Sequence, residues 1–246
     1  MPTLILTPRM TEDSIALWGA AGRLGWNVER MTRFRPPEDF KVDDEPVLYV
    51  EALTAPLFAE ALGLSLSEPP VDWLPKLPLE YRLRDVRLMP LSEARKLDRP
   101  RFIKPPNDKS FRAVVYASGR EIPSEYLEEM PVLVSEVVEW EVEFRCFVLD
   151  RSVRTFSVYL RKGRVQQEAG FVHSEVEESQ LLEFMSKVLA DQRIDLPRAT
   201  VVDAGIIKDK GWAVVEQNAA WGSGIYGCDP EQVLEVLRYA ATRLEK

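Results

Sequence analysis

The stretch Ala199-Thr-Val-Val-Asp-Ala-Gly-Ile-Ile-Lys-Asp-Lys-Gly-Trp-Ala-Val-Val-Glu-Gln-Asn218 reads as two strands and a turn. Both arms are rich in β-branched residues, and the polar Lys208 to Gly211 segment between them is a turn signal. With Ile207 opposite Trp212, the count runs back to place Asp203 opposite Glu216. Directly opposed side chains on an antiparallel pair have Cβ atoms roughly 4.5–5.5 Å apart. Asn218, two residues on, shares a face with Glu216. Opposed like charges destabilise a sheet unless something sits between them, and a hard cation such as Mg²⁺ takes such oxygen ligands. Taken alone, the two acids fit a solvated hairpin at least as well. The loop that follows, Ala219-Ala-Trp-Gly-Ser-Gly-Ile-Tyr-Gly227, tilts the reading, because a glycine-rich turn can bring backbone N–H groups close to an anion.

Working outward, Val132 to Asp150 ends in a clean alternation. Glu141, Glu143, Arg145 and Phe147 fall on one face, and Val142, Phe144, Cys146 and Val148 on the other. Arg151 to Arg164 reads as the paired strand and turn. Glu175 to Gln192 has apolar residues at helical spacing, and Pro230 to Lys246 reads as a closing amphipathic helix. Upstream, Arg101-Phe-Ile-Lys104 is an apolar strand ending on a lysine and stopped by Pro105 and Pro106. Phe111 to Tyr116 is another strand. Leu79 to Leu88 carries Arg82, Arg84 and Arg87.

The N-terminal part alternates differently. Residues 3–7, 26–31 and 46–50 read as strands, with helices over 11–24 and from Thr54 to Gly63. This pattern predicts a small parallel α/β unit, and it lacks a G-x-G-x-x-G fingerprint. Glu68 to Pro78 holds four prolines and reads as a linker. The expected division is therefore 1–78, a small α/β domain, and 79–246, a larger mixed α/β (α+β) domain. The 246 residues carry a net charge of −8, which argues against a general nucleic-acid or anionic-membrane binder. No apolar run is long enough to span a bilayer and the N-terminus lacks a signal-peptide pattern, so a cytoplasmic protein is expected. One histidine, His173, and two distant cysteines, Cys146 and Cys228, leave little for triad, multi-histidine or disulfide chemistry.

Three separated segments fit one pattern: Phe102-Ile-Lys104-Pro, then Val134-Ser-Glu136-Val-Val-Glu-Trp-Glu-Val-Glu143, then Asp203 with Glu216-x-Asn218. Together, over about residues 79–230, they resemble the ATP-grasp superfamily, most closely a small clade of bacterial and phage members. The resemblance implies an ATP-grasp fold, with two α+β subdomains clasping ATP. Lys104 would hold nucleotide phosphates; Glu136, Val137, Val138 and Glu139 would form the adenine hinge; Glu143 would accept from ribose. Asp203, Glu216 and Asn218 would bind Mg²⁺. Arg84 falls where the family has an earlier basic residue on the nucleotide, with Arg82 as the other register. Arg145 or Arg161, with Arg154 as a further candidate, would clamp a γ-phosphate or a substrate carboxylate, making Arg145, Arg161 and Asn218 the catalytic set. Gly222, Ser223 and Gly224 would hold the acyl substrate. The family's glycine-rich lid is replaced by Pro105-Pro-Asn-Asp-Lys-Ser-Phe111, in which Lys109 could stand in for backbone amides. The implied activity is ligation of a small-molecule or peptide carboxylate to an amine or thiol through an acylphosphate. A kinase on the same fold, and a non-catalytic nucleotide-binding or partner-binding protein, are the alternatives.

Overall fold

Leu4, Ile5 and Leu6 are all fully buried, as a central strand covered on both faces requires. In the computed structural model, which describes residues 1–42, 44–107 and 110–244, they lie in β1 (Pro2–Leu6). α1 (Glu12–Arg23) carries the chain to β2 (Asn27–Arg30), and β3 (Glu45–Tyr49) adds on the other side. All three strands are parallel, in the order β2-β1-β3. Thr11 and Ser14 cap α1 reciprocally: each hydroxyl accepts from the other's backbone N–H, at 3.1 and 3.0 Å. α2 (Ala55–Leu62) stops at Gly63, whose φ of 62° closes the helix in the left-handed region, and β4 (Leu64–Leu66) follows.

The proline-rich segment 68–78 is not the free linker its composition suggests. It contains α3 (Trp73–Lys76), and Trp73 is only 4% exposed, with its indole N–H donating to the Asp195 carbonyl at 2.6 Å. The prolines shape this turn of chain, and the aromatic anchors it to the core.

Beyond it, α4 (Leu79–Arg82), β5 (Val86–Pro90), α5 (Leu91–Ala94), β6 (Arg101–Lys104), β7 (Val114–Tyr116) and β8 (Pro131–Ser135) build the first half of the larger domain. The four strands form an antiparallel sheet ordered β5-β8-β6-β7, with a core around Leu91, Ile103, Phe111 and Val132. The second half is a five-stranded sheet. Its strands are β9 (Trp140–Leu149), β10 (Ser152–Arg161), β11 (Arg164–Val165), β12 (Ala199–Ile207) and β13 (Gly211–Asn218), with α6 (Glu175–Ala190) crossing between β11 and β12. The order is β11-β10-β9-β12-β13.

The alternation along β9 survives as two different burials. Val142, Phe144, Cys146 and Val148 pack in one core with Leu181, Met185 and Val188 of α6. On the other face the first residues, Glu143 and Arg145, are polar, while Phe147 and Leu149 join the core of β1 and β3. The N-terminal unit thus abuts this sheet face just beyond its polar residues.

The chain's end differs from its expected single helix. α7 (Pro230–Leu237) is followed by a strand, β14 (Ala241–Arg243), which pairs antiparallel with β4. Val233, Leu234, Val236 and Leu237 are buried in the N-terminal core. Residues 230–243 therefore complete the unit begun by residues 1–66.

Trp73→Ala tests whether 68–78 is core or linker. Removing a buried aromatic costs about 3–5 kcal/mol, so the variant's urea midpoint falls well below that of the parent; a midpoint that does not move would mean the segment is detachable.

Candidate functional site

Asp203 does face Glu216, but by a route the sequence hides. The turn is one residue tighter than its residue types suggest: Ile207 pairs with Gly211 and Ile206 with Trp212. The same step runs through Ala204 opposite Val214, and then the register shifts, so that Asp203 pairs with Glu216 and Val201 with Asn218. Val215 is the extra residue of a β-bulge. Without it, Asp203 would meet Val215 and Glu216 would meet Val202, on the core face.

Strand order supplies the next member. β9 lies beside β12 with Arg145 directly opposite Asp203, so Arg145, Asp203 and Glu216 form a row across three strands. Arg145 grips Asp203 bidentately, Nε to Oδ1 at 3.0 Å and Nη2 to Oδ2 at 2.6 Å. Asp203 is fully buried. Burial pushes its carboxyl up and Arg145 opposes that. Lys104, at the end of β6 in the other sheet, forms an ion pair with Glu216. Burial works against ionisation of Glu216, yet the Lys104 charge and hydrogen bonds from Lys104 and Asn218 bring its carboxyl down to about 2. Asn218 Nδ2 donates to Glu216 Oε1 at 3.0 Å and to Asp203 Oδ2 at 3.3 Å. Lys104, Asp203, Glu216 and Asn218, which sequence reasoning grouped, are thus brought together.

They stand at one wall of a cleft of about 560 Å³ between the two sheets. Leu74, Val86, Phe102, Leu133 and Trp140 line its apolar part, with Val137 and Val138 on the connection between the sheets. Glu143 also faces the cleft, and its Oε2 accepts from the Tyr159 hydroxyl at 3.1 Å. Gly205 lies opposite Glu143; a Cβ there would sit 2.4 Å from the Val142 carbonyl and 3.0 Å from the Trp140 ring. That missing side chain lets Trp140 lie against the strand, and the Arg84 guanidinium sits 5.0 Å from its ring centre.

Other expected residues take different places. Arg161 points to the α6 side of the sheet, opposite Val142, and pairs with Glu177 at 2.6 Å. It is therefore turned away from the cleft, and Arg154 reaches instead toward Glu235 of α7 at 4.0 Å. Arg82 donates to the Leu77 and Arg84 carbonyls. Glu139 turns outward: its carbonyl accepts from Lys208 N at 3.0 Å and its carboxylate pairs with Lys208 Nζ. Glu136 stays at the rim and pairs with Lys210 Nζ at 2.8 Å. The two turn lysines therefore clip the inter-sheet connection to the hairpin tip. The Gly222–Gly224 loop spends its polar groups on the protein itself. The Gly224 carbonyl accepts from Arg145 Nη1 at 3.0 Å, Ser223 Oγ donates to the Ala219 carbonyl, and Ile225 N donates to Asp13 Oδ2 at 3.0 Å. The anion that this loop meets is a carboxylate of the N-terminal unit. Pro105, Pro106 and Asn107 line the cleft, whereas Lys109 lies outside the described residues.

Sequence reasoning missed the aromatic cage of Arg145. The Tyr159 and Tyr226 rings lie 5.2 and 4.9 Å from its guanidinium. A second bulge, at Tyr159, turns that residue to the cleft face, where plain alternation from Arg161 would put it on the other. No spacing signal marks such a bulge.

Burial, with the charges of Asp203 and Glu216, raises the Glu143 carboxyl from 4.5 to about 7 against the pull of the Tyr159 hydroxyl. An acid whose folded pKa is raised contributes stability that is full below its unfolded pKa, here about 4.5, and is lost as pH rises through about 7. Glu143→Gln removes that dependence. Denaturant unfolding across this window should show the parent losing up to about 3 kcal/mol more than the variant; equal slopes would refute it.

The sequence profile of an ATP-grasp domain, the second family of its clade, matches residues 81–236, more than half of the 246. Comparison with curated proteins found no match. Among solved structures, a RimK domain protein ATP-grasp from Sphaerobacter thermophilus DSM 20745 is 15% identical, with a TM-score of 0.55 over 96% of this chain and 99% of that one. D-alanine–D-alanine ligase from Bacillus anthracis is 10% identical, with a TM-score of 0.51 over 96% of each chain. The ATP-grasp ligase PsnB, solved with a minimal precursor and with no organism in its description, is 12% identical, with a TM-score of 0.52 over 97% and 98%. At these identities the likeness is one of fold, and it agrees with the two-sheet cleft. The profile match over residues 81–236 establishes the family: the chain belongs to the ATP-grasp domain proteins.

Proposed function

We propose that the chain is an ATP- and Mg²⁺-dependent ligase that joins a carboxylate to an amine or thiol through an acylphosphate. The observation that carries this reading is the meeting of Lys104 from one sheet with Asp203, Glu216 and Asn218 from the other at one wall of the cleft. The apolar part of that cleft suits a flat base, and its charged end suits a triphosphate.

The donor set fits a hard cation: two carboxylates and a carboxamide, all oxygen-bearing. Among the described residues no group of three or more His, Cys, Asp or Glu has metal-holding geometry. The protein therefore supplies Asp203, Glu216 and the Asn218 amide oxygen, and nucleotide phosphates would complete the set. Bound Mg²⁺ neutralises charge on transferring phosphate oxygens. The chain's own residues do the rest by positioning. Lys104 is free to exchange Glu216 for a phosphate oxygen as a point charge. Arg145 keeps Asp203 ionised and fixed, which makes it a holder of the metal acid more than a free clamp.

In the proposed reaction a substrate carboxylate oxygen attacks the γ-phosphorus and the bond to the ADP oxygen breaks. The amine lone pair then attacks the acylphosphate carbonyl, the carbon–oxygen bond to phosphate breaks, and the nitrogen loses a proton. No side-chain nucleophile is required. That agrees with Cys146 and Cys228 being buried, and with His173 lying against Phe144, Phe156 and Glu178. PsnB was solved with a minimal precursor, so short peptides belong beside small acids and amines among the substrates to screen.

Thermal melting with ATP, Mg²⁺ and both, on the parent and on Glu216→Ala, tests the site. A ligand at 100 times its Kd raises stability by about 2.7 kcal/mol. The parent should rise with Mg-ATP and the variant should not. Screening then looks for free phosphate released only when carboxylate and amine are both present. No melting shift at millimolar Mg-ATP would overturn the nucleotide reading, and a phosphorylated product without phosphate release would make the protein a kinase.

A further inference from the structure

Arg84 is buried, and it points three hydrogen bonds at backbone. Nη1 donates to the Val214 carbonyl at 2.8 Å and to the Arg82 carbonyl at 3.0 Å, and Nη2 donates to the Val215 carbonyl at 2.8 Å. Val214 and Val215 are consecutive residues of β13, and β13 is the edge strand of its sheet. In a regular strand successive carbonyls point to opposite sides, so one edge offers only alternate ones to a partner. A planar fork on one edge can take two consecutive carbonyls only where the strand is bulged. Val215 is that bulge.

We propose that Arg84 is a positioning residue that locks the bulge, and through it the facing register of Asp203 and Glu216. The register is what is at stake. Ahead of the bulge the ladder pairs Ala204 with Val214; continued unbroken, it would put Glu216 opposite Val202. Val202 lies in the core with Val214 and Phe144. A one-residue slip therefore turns Glu216, and with it Asn218, from the cleft face to the wrong one. An edge strand has no second neighbouring strand to fix its register, and Arg84 takes that place at the bulge. The fork's geometry is specific: lysine keeps the charge but offers a point donor where two coplanar N–H groups are needed. The Trp140 ring, 5.0 Å from the guanidinium, covers the remaining side. Arg84 thus acts on the site through backbone, and the nucleotide contact expected at this position is not needed to explain it. The functional consequence rests on the metal–nucleotide reading above, but the register lock itself does not.

The test uses Arg84→Lys alone and together with deletion of Val215. Deleting the bulge residue makes the ladder regular while keeping Asp203 opposite Glu216, so the fork is no longer required. Two readouts are taken on the full chain: hydrogen exchange of β13 amides without ligand, and ATP affinity measured with and without Mg²⁺. In Arg84→Lys, β13 amides should exchange at least tenfold faster, and the gain in ATP affinity given by Mg²⁺ should fall at least tenfold. Affinity for ATP without metal should stay within twofold. Adding the Val215 deletion should return both readouts to within about threefold of the parent. Loss of metal-free affinity equal to the loss with metal would overturn the inference in favour of a direct phosphate contact. So would unchanged β13 exchange in Arg84→Lys, or failure of the deletion to restore it. If Arg84→Lys does not fold, deletion of Val215 with Arg84 kept decides: β13 protection is retained if the lock acts on register, and its loss refutes the proposal. If the parent binds no Mg-ATP at all, the ligase reading fails while the exchange measurements still judge the lock.

Discussion

Two carboxylates that face each other across paired strands repel, and the sheet can hold Asp203 and Glu216 so placed only because two cations meet them. The cations come from different places. Arg145 stands in the same sheet, one strand over, and is closed in by Tyr159, Tyr226 and the Gly224 carbonyl. Lys104 arrives from the facing sheet. The pairing is therefore also what draws the two sheets toward one another at the polar end of the cleft. Removing one partner of such a desolvated set leaves an uncompensated charge, and breaking buried pairs costs more than forming them gains. The balance has a second effect. The four charges sum to zero, so a cation entering between the acids must be accompanied by movement of Lys104 or by phosphate charge.

How much of this is legible in the sequence depends on whether the signal is local. The hairpin is readable because β-branched residues and the Lys-Asp-Lys-Gly turn are neighbours in sequence. Asp203 opposite Glu216 follows from two offsets that cancel, a turn one residue tighter and a bulge one residue longer. The β9 alternation holds on both faces, and buried Cys146 agrees with its reading as a small hydrophobe. What the sequence hides is non-local. Arg145 beside Asp203 depends on β9 pairing with β12, with α6 and two strands intervening in sequence. Trp73 reads as linker because prolines dominate its neighbours, while its packing partner lies at Asp195. Arg84 and Arg161 both read as anion binders from charge alone. Their partners, bulged carbonyls and Glu177, exist only in the folded chain.

The glycine-rich loop after Asn218 shows the same limit in chemistry. Its glycines read as making room for a ligand anion. The structure uses the loop to join the N-terminal unit to the acids of the cleft: Asp13 accepts from Ile225 N, Gly224 accepts from Arg145, and Arg145 holds Asp203. Tyr49 adds its hydroxyl to Asp13 at 3.3 Å. A chain of polar contacts therefore runs from the end of β3 to the acids at the cleft wall, so the small α/β unit bears on the geometry of the acids from outside the cleft.

The pairing of β14 with β4 has a consequence for how the molecule comes into being. Synthesis runs from the N-terminus, and domains usually fold as they emerge. Here residues 1–66 emerge first, yet the helix that covers their apolar surface and the strand that closes their edge come at 230–243. The first unit made is the last to be finished. Throughout translation of the ATP-grasp region, Leu64 and the strand it begins wait unpartnered, in the nascent chain's most exposed condition. Protection of that edge at the ribosome, by chaperones or by the pace of elongation, is thus built into the order of the sequence.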